Sequence, residues 1–107
     1  MTEAGWMVVF ITTESEEEAH RIAERLLDQR KAACVNIVPR VSSLFWWEGK
    51  LDSAQESLLI VKTRASVFPE LVELVRKVHS YQVPEIIALP VIAGNEDCLK
   101  WIDSEVV

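Results

Sequence analysis

Apolar positions along this chain switch between short unbroken runs and a three-and-four spacing, and each switch marks a change of element. WMVVFITT, Trp6 to Thr13, is an almost continuous apolar and β-branched run, which predicts a central strand covered on both faces. Ser15 followed by Glu18 has the spacing of a capping box, and Ala19, Ile22, Ala23, Leu26 and Leu27 then recur on one helical face. Glu16, Glu17 and Glu18 fall in the first turn of this helix and Arg30 and Lys31 close it, as the helix dipole favours; these charges are expected to be solvated. AACVNIV, Ala32 to Val38, predicts a second strand that Pro39 must break or bulge before it resumes through VSSLFWW.

The glycine-containing turn EGK, Glu48 to Lys50, and the apolar run LLIVKT, Leu58 to Thr63, complete a long hairpin across the polar link DSAQES. Ser66 is expected to cap a helix whose inner face carries Leu71, Leu74, Val75 and Val78, with Glu73 and Lys77 as a supportive i,i+4 pair and an end near His79. EIIALPVI, Glu85 to Ile92, predicts a short strand that Pro90 confines to an edge. Asn95 then caps a last helix with Leu99, Ile102 and Val106 turned inward. The order βαββαβ plus a C-terminal helix is the split βαβ pattern of a ferredoxin-like α+β sandwich with an antiparallel sheet.

Composition narrows the function classes. The chain has 107 residues, half of them hydrophobic, so a single domain over 1–107 is expected. A net charge of -6, with no run of Lys or Arg, argues against nucleic acid as a partner. The N-terminal MTEAGW lacks a basic start and an apolar core, and the apolar runs are too short to span a bilayer, so the expectation is a cytosolic protein with no membrane partner. Cys34 and Cys98, the two cysteines, are too few for a disulfide framework and are expected to be reduced.

The arm SSLFWWEGK sets a packing problem. The strand pleat sends Leu44 and Trp46 to one face and Phe45 and Trp47 to the other, so the arm is apolar on both sides. A two-layer sandwich covers only one face of its sheet. Each large aromatic buries roughly 150–250 Å², worth about 2–3 kcal/mol when removed from water, so either the arm folds back over its own core or a second copy covers it. The expectation is a symmetric homo-oligomer with Phe45, Trp46 and Trp47 in its interface.

Three segments, KAACVNIVP at 31–39, WWEGK at 46–50 and HSYQVPEIIALPV at 79–91, together resemble the CutA family of divalent-cation tolerance proteins over nearly the whole chain. That resemblance implies a ferredoxin-like subunit, a homotrimer built by strand pairing between subunits, and binding of copper(II) or another divalent cation. The metal residues it implies here are His79, Glu85 and Cys34, with Tyr81 and Gln82 in a cleft. Position 80 is Ser where the family pattern has Pro, and Gln82 stands where many members place an acid. Ile11 and Val78 occupy positions at which some members carry a cysteine and a second histidine.

The residues alone leave His79 with two readings. Its imidazole and the Glu85 carboxylate would give copper(II) one nitrogen and one oxygen, with a neighbouring subunit adding donors. Alternatively HSYQVPE is a helix-to-strand joint, with His79 favoured by the dipole, Pro84 stopping the helix and the Tyr81 hydroxyl bonded. An enzyme would use Cys34 as nucleophile, His79 as base and Glu85 as orienter, but no nucleophile elbow or glycine-rich loop accompanies them, and the expectation is a non-enzymatic protein. A PII-like trimeric small-molecule sensor, or a protein-interaction scaffold with no physiological metal, is the alternative.

Overall fold

The computed structural model describes residues 5–107, so Met1 to Ala4, most of the N-terminal stretch read as lacking a leader, lie outside the described residues. The elements follow in the order β1 (Trp6–Thr13), α1 (Glu16–Asp28), β2 (Cys34–Trp47), β3 (Lys50–Arg64), α2 (Phe68–Val78), β4 (Ile86–Val91) and α3 (Glu96–Glu105). The four strands form one sheet in the order β2-β3-β1-β4, and every neighbouring pair is antiparallel. This is the α+β split βαβ arrangement that the periodicity predicts. β1 is central, paired with β3 and β4, and Pro90 lies on the edge strand opposite Met7.

Helices cover one face of the sheet. Val9 and Ile11 of β1, Leu59 and Val61 of β3, Ile22 and Leu26 of α1, and Leu71 and Val75 of α2 are all essentially inaccessible and form one cluster. Alternation along β1 puts Val8 and Phe10 on the opposite face, where their cross-strand partners include Leu89 and Ile87 of β4 and Ile60 of β3. No helix roofs this patch among the described residues, and Ile87 and Leu89 are about half exposed. α3 packs at one end of the molecule, where Ile102 and Val106 join Val67 beside Trp6, and the Trp6 indole donates to Asp103 Oδ1 at 2.9 Å.

β2 and β3 run past the end of β1. Beyond the Thr13–Ser57 pair, Val41–Trp47 and Lys50–Glu56 pair only with each other, which draws the molecule out to 43 Å along its long axis. The bulge around Pro39 and Arg40 shifts the register between Val38 and Val41 without ending the strand, and the Pro39 carbonyl accepts from Ser57 Oγ at 2.7 Å. DSAQES proves to be strand rather than link, because its backbone bonds come from the partner strand whatever its side chains. At the tip, Glu48 and Gly49 form a two-residue turn with φ of 51° and 79°.

Two helix starts differ from the sequence expectation. Ser66 lies in a short 3₁₀ turn, Ala65–Val67, and makes no cap; α2 begins instead at Phe68 with Pro69 in its first turn, where a fixed φ and a missing N–H fit. Ser15 Oγ does accept from Glu18 N at 3.1 Å, but the Glu18 carboxylate turns inward and is not a solvated charge. It is 3% exposed, and its oxygens accept from Glu14 N at 3.1 Å, Ser80 N at 2.6 Å and Ser80 Oγ at 3.0 Å. Burial pushes its pKa up, but the hydrogen bonds from Ser80 and Glu14 outweigh burial and hold it below the usual carboxylate value.

A carboxyl with a depressed folded pKa stabilises the fold fully above its unfolded pKa and loses that contribution as pH falls through the folded value. Glu18→Gln should therefore cost about 1.5–3 kcal/mol in guanidinium unfolding at neutral pH, with the gap from wild type closing as pH falls below the ordinary carboxylate range; a gap that is absent at neutral pH, or constant across the range, would contradict the assignment. At the arm tip, Glu48→Asn should raise stability by a few tenths to about 1 kcal/mol, since asparagine tolerates the left-handed region better; a loss in the same unfolding measurement would contradict the strain argument.

Candidate functional site

The segment His79–Glu85 leaves the end of α2, crosses the end of β1 and enters β4. His79 ends the helix, its backbone N–H donating to the Val75 carbonyl at 2.9 Å. Its ring is fully enclosed, with Nε2 2.8 Å from the Thr12 carbonyl and Nδ1 3.0 Å from the Tyr81 N–H. A carbonyl can only accept and a backbone N–H can only donate, so Nε2 carries the proton and Nδ1 the lone pair. Both nitrogens are then engaged, and the imidazole has no free lone pair for a metal. Glu18 Oε2 lies 3.7 Å from Nδ1, and the Tyr81 ring stands 4.9 Å from the imidazole, centre to centre.

Ser80 explains how the chain accommodates its departure from the expected proline. Its N–H and hydroxyl both hold Glu18, and the hydroxyl also lies 3.3 Å from Glu14 Oε1. Proline could make neither contact. Tyr81 then reaches across to the arm, donating from its hydroxyl to Glu56 Oε2 at 2.8 Å. Burial first, and then the Glu56 carboxylate, raise the phenol well above its ordinary pKa, so it remains a neutral donor.

Between this loop and the arm lies a cleft of about 750 Å³. Tyr81, Gln82 and Glu85 line it from the loop, Phe45 and Trp47 from β2, and Glu56 from β3. The structure thus brings together Tyr81, Gln82 and Glu85 of the expected site, along with two of the three aromatics expected at an interface. Trp46 points elsewhere and is 73% exposed, beside its cross-strand partner Leu51.

Cys34 is not part of this group. It opens β2 opposite Lys62, level with Val8 on β1, whereas His79 bonds Thr12, four residues further along. At strand rise that is roughly 13 Å. Its thiol faces Asn36 Oδ1 at 3.9 Å. His79, Glu85 and Cys34 therefore do not fit one metal ion within a chain, and Cys34 is out of reach of His79 as a base. Among the described residues no group of three or more His, Cys, Asp or Glu side chains gathers into a metal-holding cluster. Ile11 is fully buried in the core and Val78 packs against it.

Sequence reasoning missed Glu18 and Glu56. Strand alternation from Leu58 and Ile60 puts Glu56 on their face, so its position was within reach of the pattern. The inward turn of Glu18 depends on Ser80, distant in the chain, and left no local trace beyond the cap spacing.

Comparison with known proteins agrees with this architecture. The family described as CutA1 divalent ion tolerance protein matches residues 7–105. The divalent-cation tolerance protein CutA of Thermus thermophilus is 50% identical over 95 residues, 89% of this chain and 92% of the relative. A solved structure of the divalent cation tolerance protein from the same organism superposes with a TM-score of 0.94 at 47% identity, covering 95% of this chain and 99% of that one. The structure of the periplasmic divalent cation tolerance protein CutA from Archaeoglobus fulgidus superposes at 0.92, also with 47% identity and the same coverage. On the extent of the family match and the identity to these relatives, the chain belongs to the CutA1 divalent ion tolerance family.

Proposed function

We propose that the protein is a cytosolic, non-enzymatic homotrimer that acts in the response to divalent metal ions and binds copper(II) or another divalent cation. Membership of a divalent ion tolerance family supports the metal reading. The observation that carries the assembly is the unroofed sheet face with Val8, Phe10, Ile60, Ile87 and Leu89, continued along the arm by Phe45 and Trp47, while on the arm's other face Leu44, Trp46 and Leu51 are 73, 73 and 63% exposed. Contiguous apolar surface of this kind marks an interface. Closed symmetry lets one such patch serve every copy.

Within the cleft, Glu85 is the carried-over candidate that keeps an exposed donor, whereas His79 positions the loop through its two hydrogen bonds. A carboxylate supplies a hard oxygen to a divalent ion, and neighbouring copies supply the remaining donors. The nucleotide-sensor alternative gains no support, because the charged lining residues of the cleft are both acidic and would repel phosphates.

Copper(II) titration of the assembled protein by calorimetry tests the metal reading. Saturable binding at an integral ratio per chain is expected, weakened about tenfold or more in Glu85→Gln and unchanged in Cys34→Ser. Weak binding without saturation, or binding indifferent to Glu85→Gln, would overturn it.

A further inference from the structure

A run of hydrogen bonds within one chain joins the loop after α2 to two distant elements. At its α1 end, the Ser80 N–H and hydroxyl donate to the two oxygens of Glu18 at 2.6 and 3.0 Å, and Glu18 Oε1 also takes the Glu14 N–H, so the first turn of α1 is clasped to the loop. Tyr81, the next residue, is held by its backbone and by its ring. Its N–H donates to His79 Nδ1 at 3.0 Å, and the ring centre lies 4.9 Å from that of the enclosed imidazole. The Tyr81 hydroxyl then donates to Glu56 Oε2 at 2.8 Å.

Glu56 stands at the root of the arm. β3 leaves β1 at the Thr13–Ser57 pair, and Glu56, opposite Val41, is the next residue, the first of β3 to pair with β2 alone. A two-stranded ribbon keeps its order poorly in water, so a bond at its root governs how freely it swings. Glu18, by contrast, is buried at 3% exposure in the helical layer rather than on the open face. The clasp is therefore built by one chain alone, and it reaches the arm through Tyr81.

We propose that the His79–Glu85 loop is a conformational coupling between the first turn of α1 and the arm: the Glu18–Ser80 clasp fixes Tyr81, and Tyr81 fixes the arm at Glu56. Loosening the clasp frees the arm, and ordering the arm tightens the clasp, because a coupling between two sites acts equally in both directions. The coupling itself stands within one chain. Its consequence for assembly rests on the homotrimer reading: a neighbouring copy that docks on the arm orders it, and an arm already held at Glu56 gives up less freedom on docking. Glu18, Ser80 and Tyr81 act here as positioning residues.

Hydrogen exchange of the arm amides, 41–47 and 50–56, read by mass spectrometry on the purified protein, tests the coupling as a double-mutant cycle. Glu18→Gln should speed exchange in the arm about fivefold or more in the wild-type background, and less than about twofold in a Tyr81→Phe background, where the link to Glu56 is already cut. Ile102→Ala, in the cluster beside Trp6 at the other end of β1, should leave the arm within about twofold of wild type. Ser80→Ala, which removes one of the two donors to Glu18, takes the place of Glu18→Gln where that variant does not fold. An arm indifferent to the loss of the clasp, accelerated as much by Ile102→Ala, or accelerated by the same factor in both backgrounds would overturn the proposal. Light scattering on dilution reads the assembly consequence: Glu18→Gln should raise the concentration at which copies separate about fivefold, and an unmoved separation point would overturn that consequence. A one-chain mass for the wild type would retire the homotrimer reading, and the exchange cycle would still decide the coupling.

Discussion

A four-stranded sheet has two faces and this chain has helices for only one of them. The core between the sheet and α1 and α2 is closed by residues such as Ile11, Leu26, Leu59 and Leu71, each with no accessible surface. On the other side the same strands present Val8, Phe10, Ile60, Ile87 and Leu89. Burying one such side chain contributes about 1.5–3 kcal/mol, so covering the face together with the arm aromatics rivals the whole stability of a small domain. A chain of this length gains its second layer from copies of itself or leaves that energy unused.

The same constraint explains why the arm exists. β2 and β3 extend beyond β1 as a two-stranded ribbon, and an isolated ribbon is marginal in water. The Tyr81–Glu56 bond ties its base to the loop that follows α2, and that loop is tied to α1 through Ser80 and Glu18. One run of contacts thus links the first helix, the buried imidazole and the arm. Loss of the Glu18 charge would be felt in the cleft wall as well as in the core, since Ser80 and Tyr81 are adjacent.

Most of the scaffold was legible because its signals are local or periodic. Continuous runs located β1 and β4, three-and-four spacing located α1 and α2, and Asn95 capped α3 as its position implied, accepting from Asp97 N at 2.9 Å. The site was less legible. His79 reads as a ligand from its residue type, and only the Thr12 carbonyl and the Tyr81 N–H, supplied by the fold, show that both nitrogens are occupied. Glu18 reads as a surface acid until Ser80 is brought to it. Strand DSAQES looked like a link because its composition is polar, whereas its pairing is decided by the opposite strand.

On the proposed reading, other copies of the chain complete the open face of the sheet. Multi-angle light scattering on the purified protein at micromolar concentration tests it most directly. The mass of three 12.2 kDa chains is expected, shifted toward one chain when Ile60→Glu places a charge in the middle of the face. A stable, soluble one-chain mass for the wild-type protein would contradict it.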